Sequence, residues 1–76
     1  MMEFVSLVAL QQALTARVEE RTGRRVRNLR VEVLPEGVVL RGHAATYHVK
    51  QLAQHGLQHL LPPHVRLENV IVVESV

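Results

Sequence analysis

Between Glu3 and Thr22 the apolar residues Leu7, Leu10, Leu14 and Val18 recur at spacings of three and four, with Phe4 and Ala13 beside the same stripe. That period predicts a helix with one buried face. Gly23 follows, a residue that tolerates positive φ just past a helix end. The period then changes to two. From Val26 to Leu34, Leu29, Val31 and Val33 alternate with Asn28, Arg30 and Glu32, which predicts a half-buried strand. Pro35, Glu36 and Gly37 carry turn chemistry, and Val38 and Leu40 resume a strand facing the core. Two strands joined this closely pair as an antiparallel hairpin.

A second helix is expected from about Thr46, a good N-cap, to Leu60 or Leu61, where Pro62 and Pro63 stop it. On its wheel Val49, Leu52, Ala53, Gly56, Leu57 and Leu60 span roughly 140°, the side that must be buried. After the prolines, Leu67, Asn69, Ile71 and Val73 share one face of a third strand, which a helical crossover should place parallel to the second. The reading is an α+β fold, α-β-β-α-β, with a three-stranded mixed sheet and two helices packed on one face. It makes residues 1–76 one domain. The expected core is Leu14, Val18, Val31, Leu40, Leu52, Leu57, Leu60, Leu67 and Ile71.

Composition narrows the function. A chain of 76 residues supports one small core and marginal stability as a monomer, so self-association is an expectation. With one Tyr, one Phe and no Trp, stacking platforms for bases are lacking. No cysteine means no disulfide and no thiolate metal site. The N-terminal apolar run has Glu3 where a signal peptide carries basic residues, and Ser6, Gln11 and Gln12 interrupt or end it. The expected location is therefore cytoplasmic as encoded, with envelope association left open. No stretch is long enough to be a transmembrane segment.

Four of the five histidines lie between Leu40 and Leu60, and His48, His55 and His59 fall within about 40° of one another on the second helix. They flank the buried arc and do not complete a ligand set, because His55 and His59 supply two ligands where zinc takes three or four. No metal and no cofactor is expected. Catalysis also lacks its parts. There is no Asp, the Glu are scattered, Ser6 and Ser75 have no evident base, and no phosphate-cradling glycine loop occurs. The chain reads as a non-enzyme.

Charge gives the first positive indication. Arg17, Arg21, Arg24, Arg25, Arg27 and Arg30 against Glu19 and Glu20 make residues 17–30 carry +4 of a net +2, leaving −2 for the rest. One end is basic, as an anion- or lipid-binding surface requires, although cations at a helix C-terminus also serve the helix dipole. On the sheet face away from the helices, Val39, Val70 and Val72 are expected as a small apolar patch and candidate self-association surface.

The residues also carry a likeness. The strand-turn-strand ends in Leu40, Arg41 and Gly42, a small-residue link leads to a Thr46-capped helix with Lys50 and Ala53, and the last strand reads Leu67 to Val73 with Asn69 inside it. Over roughly Leu7 to Val73 this resembles the BON domain, a small bacterial module. Where members of that family often have a Pro-Gly-Val-like turn, this chain has Pro62, Pro63, His64 and Val65. The resemblance implies the α-β-β-α-β fold and a non-enzymatic role in binding phospholipid or membrane surfaces, or in protein interaction. It marks Gly42, Thr46, Lys50 and Asn69 as pattern residues. The expected partner is an anionic phospholipid surface met by the basic end. The alternative is a protein-interaction or self-association module forming a homo-oligomer. Nucleic acid is not expected, since a KH-like reading needs a GXXG loop that Gly23, Gly37, Gly42 and Gly56 do not form.

Overall fold

Helix α1 (Met2–Thr22) leads into strand β1 (Val26–Leu34), which pairs antiparallel with β2 (Gly37–Ala44) in the register Val31 to Leu40 and Val33 to Val38. The computed structural model describes residues 2–74, and the side chains of residues 7–74. The side chains of Phe4 and Ser6, and the whole of Ser75, lie outside what is described. Helix α2 (Tyr47–Gln58) crosses to β3 (Arg66–Asn69) and β4 (Val72–Val73), both parallel to β2. The fold is α+β, with two helices and a mixed sheet, as the periodicities predict.

The expected third strand is in two pieces that keep one register. Leu40 faces Asn69 and His43 faces Val72, so the two pairs are three positions apart on both strands. The interruption has a local cause. The Ile71 N–H donates to the Asn69 side-chain oxygen at 3.1 Å, while Val70 N–H still reaches the Leu40 carbonyl at 2.9 Å.

Leu14 and Val18 from α1, Val49, Ala53 and Leu57 from α2, and Val26, Val31, Val38, Leu40, Ala44 and Ile71 from the sheet form one apolar core. Leu67 packs against it half-buried, and Leu52 is also half-buried. The helices meet at Gly56, where a side chain would press on the Arg21 Cγ at 2.9 Å. Leu60 departs from expectation. It is 51% exposed because α2 ends at Gln58, with a cap at His59, and the N–H groups of Leu60 and Leu61 both turn back to the Leu57 carbonyl. Val73, expected on the buried face, is also exposed, since the sheet narrows there to a two-residue strand.

Start and stop signals act as their chemistry requires. The Thr46 hydroxyl accepts the Val49 N–H at 3.2 Å at the start of α2. At the end of α1, Gly23 and Arg24 both take left-handed φ, 63° and 60°, and the Arg24 N–H returns to the Glu19 carbonyl at 2.9 Å. That i to i−5 bond closes the helix.

Candidate functional site

The six arginines of the basic segment are all exposed, and they extend from the second half of α1 through the turn after it to the middle of β1. Arg17 and Arg21 lie on α1, Arg24 and Arg25 on the turn after it, and Arg27 and Arg30 on β1. Their surroundings divide them. Arg17 pairs with Glu20 at 3.1 Å along the helix. Arg25 folds its Nε back to the Thr22 carbonyl at 2.8 Å, where a cation meets the negative end of the helix dipole. Arg27 bonds to the Glu74 carboxylate. Arg21, Arg24 and Arg30 have no carboxylate partner among the described residues.

Arg30 stands directly opposite Arg41 across the β1–β2 pair. Like charges placed so are unfavourable unless one is neutralised. Glu32 does this for Arg41, accepting from its Nε at 2.8 Å. That hydrogen bond holds the Glu32 carboxyl below the ordinary glutamate range and raises the Arg41 guanidinium. Arg30 is exposed and makes no ion pair among the described residues.

Beside Arg30 the β1 strand is bulged. Between the register pairs of Arg27 with His43 and of Arg30 with Arg41, Asn28 and Leu29 occupy the place opposite Gly42, and Asn28 takes φ 54°. Gly42 answers that bulge, because a Cβ there would meet Val26 Cγ1 at 2.7 Å and the Arg27 carbonyl oxygen at 3.0 Å. Next along, the Glu74 carboxylate lies between Arg27 and His43, with its Oε2 3.3 Å from His43 Nδ1. That nitrogen is buried and has no hydrogen-bond partner.

The sheet face away from the helices differs from the expected apolar patch. Val39 is 8% exposed, because its register partners Glu32 and Glu68 flank it on both sides. Val70 is half-buried, and Val72 alone of the three is open, at 51%. The face is a charged one with a covered valine at its centre.

The other pattern residues are structural. Lys50 offers its main-chain oxygen, and Asn69 donates to it from its side chain at 2.9 Å. His48, His55 and His59 are exposed along α2, and among the described residues no three His, Asp or Glu side chains converge as a metal site would require. No described helix is long and apolar enough to cross a membrane.

At the end opposite the arginines lies a feature the sequence reading missed. A groove of about 540 Å³ runs between the middle of α1, the β1–β2 turn and the segment after α2, with Leu10, Leu14, Val38, Leu60, Leu61 and Val65 in its walls. The only hint in the sequence is that the apolar stripe of α1 begins two turns before the residues that reach the core. Comparison of the chain with family models, with characterised proteins and with solved structures finds no match.

Proposed function

We propose that the chain is a non-catalytic binding module of the BON type, meeting anionic phospholipid surfaces through its arginine-rich segment. The observation that carries this reading is the set of exposed arginines, Arg21, Arg24 and Arg30, without carboxylate partners among the described residues. Each cation near an anionic bilayer contributes about 1 kcal/mol, so three give useful binding that salt weakens. Arg25 and Arg27 add to the local potential while serving Thr22 and Glu74. The helix geometry supports the same orientation, since the left-handed turn at Gly23 and Arg24 carries the chain across the end of α1 and leaves Arg24 exposed.

Co-sedimentation with vesicles tests it. Neutral phosphatidylcholine vesicles should leave the protein in the supernatant, and vesicles with a third of anionic lipid should pellet it at low salt and release it at high salt. An Arg21→Gln, Arg24→Gln, Arg30→Gln variant should lose most of the pelleted fraction. Arg25 is left intact because its guanidinium hydrogen-bonds the Thr22 carbonyl at the end of α1. Absence of binding to anionic vesicles at low salt, or stronger binding to single-stranded RNA than to vesicles, would reject this reading.

A further inference from the structure

On the sheet face away from the helices, charge is distributed unevenly around the β1 bulge. Arg30 and Arg41 oppose each other across the β1–β2 pair, where directly opposed residues lie about 5 Å apart at Cα. Two cations so close repel unless an anion lies beside them. One carboxylate serves both: Glu32 accepts from the Arg41 Nε at 2.8 Å, and the two terminal nitrogens of that guanidinium stand outside the bond. Arg30 has no carboxylate of its own among the described residues.

Next to this pair the sheet is indented. A depression of about 440 Å³ is lined by Asn28, Leu29, Arg30, Arg41, Gly42 and His43. It lies where two residues of β1 occupy the place opposite Gly42 and Asn28 turns to a left-handed φ of 54°, the kind of irregularity that re-aims side chains. Its polar lining side chains, those of Asn28, Arg30, Arg41 and His43, can all donate hydrogen bonds. The same face carries Glu32, Glu68 and Glu74, and none of them lines the depression. Glu32 opposes Val39, Glu68 opposes Val39 from the other side, and Glu74 is held by Arg27 and lies 3.3 Å from His43 Nδ1.

The donors select the ligand chemistry. One guanidinium fork satisfies both oxygens of a carboxylate, so a carboxylate leaves the second arginine unmet. A phosphate group offers three strong acceptor oxygens in a tetrahedral arrangement, enough for a fork from each strand and an amide beside them. We infer that the depression at the β1 bulge binds a phosphate group, with Arg30 and Arg41 as its guanidinium ligands and Asn28 as a further donor. This deepens the membrane reading and rests on it for the lipid source of the phosphate.

An amide NMR titration with inorganic phosphate, set against sodium chloride at matched ionic strength, tests it. The N–H signals of Asn28, Leu29, Gly42 and His43 should move and saturate with phosphate and stay in place with chloride. Arg30→Gln should weaken that response about tenfold, the loss of one charge-assisted bond, and leave the melting temperature unchanged because Arg30 makes no ion pair. Arg30→Lys should recover only part of it, since an ammonium lacks the fork. Signals that move equally in chloride, or a phosphate response that is centred on Arg21 and Arg24 or survives Arg30→Gln intact, would overturn the inference. Pelleting with vesicles containing phosphatidic acid, run beside the titration, distinguishes a lipid headgroup from a soluble ester. If the vesicles pellet the protein and phosphate leaves the bulge signals in place, the phosphate site is refuted and the membrane reading stands. If phosphate moves those signals and no vesicle binds, the membrane reading is refuted and the site stands as one for a soluble phosphate ester.

Discussion

The side-chain amide of Asn69 donates to the main-chain oxygen of Lys50 at 2.9 Å while its own oxygen accepts the Ile71 N–H at 3.1 Å. One residue thus joins the sheet to α2 and supplies the partner that the interrupted third strand lacks. A further contact to Gln54 Oε1 at 3.4 Å completes the position of the amide.

Asn69→Ala should cost about 1–3 kcal/mol, because it leaves the N–H of the buried Ile71 without a partner and removes the tie from the sheet to α2. Asn69→Asp should cost at least as much. It keeps the acceptor for Ile71 but turns a carboxylate towards the Lys50 oxygen, where a donor is needed. Urea unfolding of both variants measures this, and an aspartate variant as stable as the wild type would contradict the assigned amide orientation.

At Gly56 two effects of opposite sign meet. A methyl group would press on Arg21 Cγ at 2.9 Å and Cβ at 3.3 Å, so the helices must part by a few tenths of an ångström, but alanine gains about 1 kcal/mol of helix propensity over glycine. Gly56→Ala should therefore change the stability little. Gly56→Leu cannot be absorbed by one side chain and should destabilise by about 1–3 kcal/mol through separation of the helices. Thermal melting of the pair distinguishes close helix contact from mere glycine flexibility, under which both variants would be stabilised.

The Glu32–Arg41 pair has a pH signature. Glu32 is held below the ordinary glutamate value by its hydrogen bond to Arg41, so it releases its proton more readily folded than unfolded. Its contribution is fully present above about pH 4.3 and is lost as pH falls through the lower folded value. The stability difference between wild type and Glu32→Gln should therefore shrink below about pH 4. Denaturant titrations at a series of pH values read it, and a difference constant down to acid would show that the pair contributes nothing through ionisation.

Zinc should leave the melting temperature unchanged, as should a chelator. A tight site stabilises the folded state in proportion to the logarithm of ligand excess over Kd, and the exposed His48, His55 and His59 do not converge with a further ligand among the described residues. A zinc-dependent rise abolished by a His55→Ala, His59→Ala variant would reverse that conclusion.

The element order, the hairpin and the buried face of α2 were legible in the sequence because each depends on neighbours two to four residues apart. Thr46 caps, Gly23 terminates, and Val49, Ala53 and Leu57 turn inward for reasons contained in that span. The chain's own pattern determined which way a side chain points. Whether anything lies there to cover it was decided by the tertiary structure. Leu60, expected on the buried arc of α2, lies beyond the helix end at Gln58 and is exposed. Leu7 and Leu10 continue a core stripe along α1 past the residues that reach the core. Val39 shows the converse. It points away from the helices and is covered by the side chains of two neighbouring strands, Glu32 and Glu68. Among the arginines, composition alone made six equal candidates, and only the approach of Glu20, Glu74 and the Thr22 carbonyl separated the engaged ones from Arg21, Arg24 and Arg30. Periodicity is a local property of the chain, whereas depth of burial and charge pairing depend on partners distant in sequence, which folding alone brings together.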